Sequence, residues 1–154
     1  MTSDRIQIHC DGACAGNGRR RNRGGWAAIL VHKGRTRTVS GGEPDTTNQR
    51  MELTACIKGL ESVKDGRAGI DVYSDSAYLV NCFRDRWHER WVRNGWKNYR
   101  KQPVENRDLW ERLLKLVARY DVSFHKVSGH SGNVLNEAAD RLARAAMKEA
   151  RPGA

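Results

Sequence analysis

The chain has 154 residues, with 28 Lys and Arg against 18 Asp and Glu and a formal net charge of +10. Hydrophobic residues make up 38% and charged residues 30%, which suits one soluble globular domain and excludes a disordered or membrane-embedded chain. The positive excess favours a polyanionic partner, although a solubility charge or a small anionic substrate would account for it equally.

In chain order, residues 5–11 alternate, with Ile6, Ile8 and Cys10 on one face and Gln7, His9 and Asp11 on the other. This strand is expected to stop at Asp11 and the glycines after it. Residues 16–25 read as a loop carrying Arg19, Arg20, Arg21 and Arg23. Residues 26–31 and 36–40 read as strands joined by a hairpin at Lys33-Gly34, giving a three-stranded antiparallel meander. Gly41-Gly42 should then break the sheet. Thr46, Thr47 or Asn48 caps a helix running to about Lys64, with Leu53, Cys56, Ile57, Leu60 and Val63 as its core face. Residues 70–75 form a second strand that ends in an aspartate, with Ile70 and Val72 on one face. A helix begins at Ser76.

From Phe83 to Gln102 arginines and lysines interleave with Trp87, Trp91, Trp96 and Tyr99. Phe83, Trp87 and Trp91 have the spacing of one helical face. Residues 105–119 form another amphipathic helix and residues 122–127 the last strand. Residues 128–133 form a Gly-flanked loop holding His130. A closing helix over 135–147 precedes a tail, 150–154, that should fray. Helix-joined strands should be parallel with right-handed crossovers, so the fold class is α/β with a mixed sheet. Residues 1–154 are expected to be a single domain.

Cys10, Cys14, Cys56 and Cys82 include no CxxC pair, which argues against a zinc ribbon or a dithiol motif. Reduced thiols in the cytoplasm are expected. The first ten residues carry Asp4 and Arg5 and no signal-like apolar run. No stretch approaches the roughly 20 apolar residues of a membrane span.

The chemistry should lie beyond the carboxyl ends of the parallel strands. If residues 5–11 and 70–75 are neighbours, Asp11 and Asp75 emerge together, and a cation would resolve their repulsion. Mg²⁺ suits such oxygen ligands. Glu52 and Asp140, near the starts of their helices, could join them, and His130 could shuttle protons. Each residue has a structural alternative. Asp11 can be turn chemistry, Asp75 a helix cap, Glu52 a complement to its helix dipole, Asp140 a partner of Arg144, and His130 a plain loop residue.

Five runs stand in the order and spacing of one family: Cys10-Asp11-Gly12-Ala13-Cys14, the residues 46–53 (Thr-Thr-Asn-Gln-Arg-Met-Glu-Leu), Ser74-Asp75-Ser76, Gly129-His130-Ser131-Gly132, and residues 136–143. Together they resemble ribonuclease H type I over residues 5–148, and the tryptophan-rich basic segment is similar to that family's protruding basic handle, here about 83–102. The resemblance implies a five-stranded mixed sheet of order 3-2-1-4-5 flanked by helices. It implies metal-binding carboxylates at Asp11, Glu52, Asp75 and Asp140 and a catalytic histidine at His130. Two Mg²⁺ ions, about 3.5–4 Å apart, would flank the scissile phosphate, with Mn²⁺ a substitute. The RNA strand of an RNA/DNA hybrid would be cut to 5′-phosphate and 3′-hydroxyl ends, independently of sequence.

The resemblance also places substrate contacts at Cys14, Asn17, Thr47, Asn48, Gln49, Trp87 and Trp91. RNA is told from DNA by its 2′-hydroxyls, and the handle would grip the DNA strand through salt-dependent charge and stacking. The alternative for the handle is a solvated helix whose tryptophans, Trp110 among them, pack on the core. Three departures are notable. The 18–23 loop is longer and richer in arginine than in common bacterial members, Asp45 stands where an arginine is expected, and Ala77 stands where glutamine is common. The separate N-terminal hybrid-binding domain of eukaryotic members is not expected here, and neither is high processivity. The protein should act as a monomer without an obligate protein partner. A non-catalytic hybrid-binding module would have lost a carboxylate, and none is missing. Other two-metal nucleases of this fold lack the 46–53 run and the handle.

Overall fold

An alternating strand, a continuous apolar strand and a polar edge strand build the first part of the chain as a meander. The structure is a computed structural model that describes residues 4–16, 22–128 and 133–150. Strands β1 (Ile6–Ala15), β2 (Arg23–His32) and β3 (Arg35–Pro44) pair antiparallel. Helix α1 (Asn48–Glu61) leads to β4 (Ile70–Ser74), and α2 (Ala77–Arg84), α3 (Trp87–Asn94) and α4 (Arg107–Arg119) lead to β5 (Val122–Lys126) and α5 (Val134–Glu149). Strands β1, β4 and β5 are parallel, so the sheet is mixed, in the order β3-β2-β1-β4-β5. Both the element order and the strand order agree with the sequence reading.

The faces follow from parity. Ile6, Ile8 and Cys10 share the buried side with Ile70 and Val72, under Leu53, Cys56, Ile57 and Leu60 of α1 and Leu109, Trp110 and Leu113 of α4. Full burial of each large aliphatic side chain contributes about 1.5–3 kcal/mol. Trp110 is fully buried, and its indole N–H donates to the Tyr78 hydroxyl at 2.9 Å. It is a core residue, as the sequence allowed. The other face of β1–β3 lies under α5.

Three sequence expectations fail on the same physical point, that a glycine can belong to a strand. β1 does not stop at Asp11 but continues to Ala15, because residues 12–15 pair in register with Trp26, Gly25, Gly24 and Arg23. Gly24 and Gly25 are therefore strand, not loop. Gly41 and Gly42 do not break the sheet either. A Cβ on Gly25 would lie 2.1 Å from the Ala143 carbonyl oxygen, and one on Gly42 2.5 Å from that of Ala146. These glycines let the backbone of α5 lie directly on the sheet.

Two helices also differ. α1 ends at Glu61, short of Lys64, where the Ser62 amide and hydroxyl turn back onto carbonyls of its last turn. Phe83 and Trp87 are not on one continuous helix. α2 stops at Arg84, Arg86 takes a left-handed φ of 58°, and α3 starts afresh at Trp87. The break lets Phe83 stack on Phe124 at 4.0 Å while Trp91 turns toward Trp96 and Trp110.

Replacing Gly25 by alanine should force α5 off the sheet and lower stability by about 1–3 kcal/mol, the usual range for overpacking. Urea unfolding measures it. An unchanged midpoint would contradict the close approach.

Candidate metal centre

The parallel register of β1 and β4 ends at His9 opposite Tyr73. Beyond it β1 runs on as far as Ala15, while β4 gives way to the turn into α2. Asp11 and Asp75 therefore project where two parallel strands part, at their carboxyl ends. The third acid comes from α1. A Cβ on Gly12 would fall 2.5 Å from the Glu52 amide nitrogen, so the bare glycine lets α1 sit against β1. There the Gly12 N–H donates to Glu52 Oε1 at 3.2 Å.

Asp11, Glu52 and Asp75 each bring a carboxylate oxygen to within 4.8 Å of the others. Asp11 is 3% exposed and Glu52 6%. Burial, and then the charge of Asp75, push the Asp11 carboxyl from 3.8 up to about 7. Burial and then the charge of Asp11 push Glu52 well above the usual carboxylate range. Glu52 Oε2 is buried and has no hydrogen-bond partner. Like charges crowded this closely, with an unsatisfied buried oxygen, are what a divalent cation relieves. The hard, all-oxygen donor set fits Mg²⁺, Mn²⁺ or Ca²⁺ and not a thiophilic metal.

The structural alternatives resolve individually. Ser76 caps α2, its hydroxyl accepting from the Leu79 N–H at 3.2 Å, so Asp75 is left to the cleft. Glu52 turns toward Gly12 rather than its own helix end. Asp140 does pair with Arg144, whose Nε lies 3.1 Å from both carboxylate oxygens. Asp140 nonetheless lines the same cleft of about 450 Å³ as the other three acids, and so does Arg144. It lies outside the tight group of three.

Asn48 and Gln49 are exposed on the first turn of α1 and line that cleft. Thr47 is the cap of α1, its hydroxyl accepting from the Arg50 N–H at 3.1 Å. Cys14 is half-buried and donates to the Thr46 carbonyl at 3.7 Å. Trp87 and Trp91 line a neighbouring groove of about 600 Å³, which meets the cleft at Gln49 and Tyr78. Both tryptophans also pack against the core, so packing and lining are not exclusive. His130, Asn17 and Arg19 to Arg21 lie outside the described residues.

Sequence reasoning missed Gly12 as the seat of α1 and Tyr78 as a wall shared by cleft and groove. It took Arg144 as only a surface partner. The signal for Tyr78 was its place one turn after Asp75, and for Arg144 its i+4 spacing from an acid that was itself a candidate.

Comparison with known proteins shows the family. A family model described as RNase H matches residues 3–148. The ribonuclease H of Chlorobium limicola is 51% identical over 144 residues, covering 94% of this chain and 96% of that protein. That of Moorella thermoacetica is 51% identical over 142 residues, covering 92% and 91%. Among solved structures, LC9-RNase H1, described as a type 1 RNase H with the type 2 active-site motif, superposes with a TM-score of 0.83 at 30% identity, covering 96% of this chain and 74% of that one. LC11-RNase H1, solved in complex with an RNA/DNA hybrid, shares the fold at 19% identity and a TM-score of 0.68, covering 94% of this chain and 97% of that one. With nearly the whole chain matched, and the acids gathered at the ends of its central strands, this protein belongs to the ribonuclease H family.

Proposed function

We propose that this chain hydrolyses the RNA strand of RNA/DNA hybrids with Mg²⁺ at the carboxylate cluster, leaving 5′-phosphate and 3′-hydroxyl ends without sequence preference. The observation that carries the reading is the group of Asp11, Glu52 and Asp75 within 4.8 Å, in a chain of this family. Support also comes from the hybrid bound by LC11-RNase H1, a protein of the same fold.

Asp11, Glu52 and Asp75 would hold metal, and Asp140 would join them on leaving Arg144. Bound there, a pair of Mg²⁺ ions, or Mn²⁺ in their place, neutralises phosphate charge and makes water a better nucleophile at neutral pH. The chain's own groups do the rest. Asn48 and Gln49 line the cleft and, with Cys14, would face the minor groove of the hybrid, where 2′-hydroxyls mark the RNA strand. Asn17 would join them, and Thr47 would meet a DNA phosphate. His130 would move protons to and from the reacting oxygens. The groove at Trp87 and Trp91, with Arg90 and Lys97 beside it, would take the DNA strand. We propose that the protein acts as a cytoplasmic monomer and a single domain.

The test uses an end-labelled RNA strand, in a hybrid or in duplex RNA, with Mg²⁺ or chelator. Cleavage of the hybrid with metal is expected; equal cutting of both duplexes would refute the reading. Asp75→Asn should cut turnover by about 10²–10³-fold or more, the range for loss of one charge-stabilising group being about 10²–10³, while gel-shift binding of the hybrid persists. Near-parental turnover in that variant would rule out Asp75 as a metal ligand.

The raised carboxyl of Asp11 also has a consequence for stability. A folded-state pKa above the unfolded one adds stability below the unfolded value, about 4, and that stability is lost as pH rises through about 7. Without metal, Asp11→Asn should therefore match the parent near pH 4 and exceed it by on the order of a few kcal/mol at pH 8. Adding Mg²⁺ should shrink the gap. Thermal unfolding across pH reads this, and a gap that does not change with pH would contradict the crowding.

A further inference from the structure

The connection from β3 to α1 is held at one residue from three sides. Thr46 is 6% exposed. Its backbone N–H donates to Asn22 Oδ1 at 2.7 Å. Its carbonyl accepts from Cys14 Sγ at 3.7 Å. Its methyl occupies the space over Gly24, where a Cβ would come to 2.5 Å from Thr46 Cγ2. The residue before it is held as well. The Asp45 N–H donates to the Asn22 carbonyl at 2.9 Å, and Asp45 takes a left-handed φ of 47°. Asn22, itself 7% exposed, thus receives two consecutive amides, one through its side chain and one through its backbone.

This clamp leads directly into the recognition turn. Thr47 caps α1, and Asn48 and Gln49 come next, lining the cleft beside Asp11 and Asp75. Glu52 has an anchor of its own on the Gly12 N–H. Asn48 and Gln49 follow the Thr47 cap directly, so the path by which the backbone enters the helix bears on where they lie. An amide as buried as that of Thr46 needs an acceptor, and the Asn22 carboxamide supplies it.

We infer that Asn22 is a positioning residue for strand recognition: its carboxamide fixes Thr46, and through it sets Asn48 and Gln49 against the carboxylates. The inference rests on the reading that this cleft takes an RNA/DNA hybrid. It also gives the end of the arginine-rich loop a task distinct from phosphate contact. Asn22 is neither one of the clustered carboxylates nor a residue lining the cleft. Loosening the turn should cost binding held equally in ground and transition states, which raises KM and leaves kcat alone.

The test compares the parent with Asn22→Leu, which is nearly isosteric and lacks the acceptor, and Asn22→Asp, which keeps it. In Asn22→Leu the KM for the hybrid should rise about tenfold with kcat within about twofold, the effect of losing one buried hydrogen bond. Mg²⁺ affinity measured calorimetrically without substrate should not change. Amide exchange by NMR should quicken at Thr46 and not in the α1 core. Asn22→Asp should return KM to within about twofold of the parent at an ionic strength that screens its added charge. The inference is overturned if exchange at Thr46 is unaltered in Asn22→Leu, if KM is unaltered, if kcat and Mg²⁺ affinity fall as KM rises, or if Asn22→Asp is as impaired as Asn22→Leu. A parent that leaves the hybrid intact would instead remove the function proposed for the site. The exchange result would then still report on the clamp by itself.

Discussion

Like charge crowded at the carboxyl ends of two parallel strands is the constraint on which the rest of this structure depends. Asp11 and Asp75 are brought together by the β1–β4 register, and Glu52 is pressed onto them because Gly12 leaves room for α1. The Gly12 N–H to Glu52 offsets only part of that charge. Two of the three acids are buried, and both are driven toward their protonated forms. A metal-free chain keeps this site at a cost to its own stability, and a cation removes the cost. Asp140 is different. It pairs with Arg144 while lining the same cleft and acting on Asp11.

The scaffold around the site is correspondingly rigid. The sheet is continuous from β3 to β5, α1 and α2 lie on one face of it and α5 on the other, and bare glycines let helix backbones lie directly on strands. Preorganisation of this kind is what a site needs when small displacements change rates. The handle continues the same logic. Trp87, Trp91 and Trp96 hold it to the core while lining or flanking an open groove, so a basic surface is carried on a packed base.

Much of this was legible in the residues. Period-2 alternation at Ile6, Ile8 and Cys10 and at Ile70 and Val72 marked the strands, and helical spacing at Leu53, Ile57 and Leu60 marked α1. Shared parity placed Asp11 and Asp75 together. The illegible parts have definite causes. Glycine reads as a turn in isolation, so the continuation of β1 and β3 through Gly12 and Gly41-Gly42 could be seen only once α1 and α5 were in place. The break at Arg86 is a left-handed residue with no glycine to announce it. Asn22 looked like one more polar loop residue because its partner, Thr46, lies 24 positions away. The pairing of Asp140 with Arg144 was legible from i, i+4 spacing, but not that both would face the cleft.

The central claim is that Asp11, Glu52 and Asp75 are a metal centre. Anomalous diffraction from crystals grown with Mn²⁺ and a hybrid, using a catalytically slowed variant such as Asp140→Asn, tests it most directly. A Mn²⁺ peak coordinated by oxygens of Asp11, Glu52 and Asp75, beside the RNA backbone, is expected. A peak elsewhere on the molecule, or ordered hybrid in the cleft with no metal between it and these carboxylates, would contradict it.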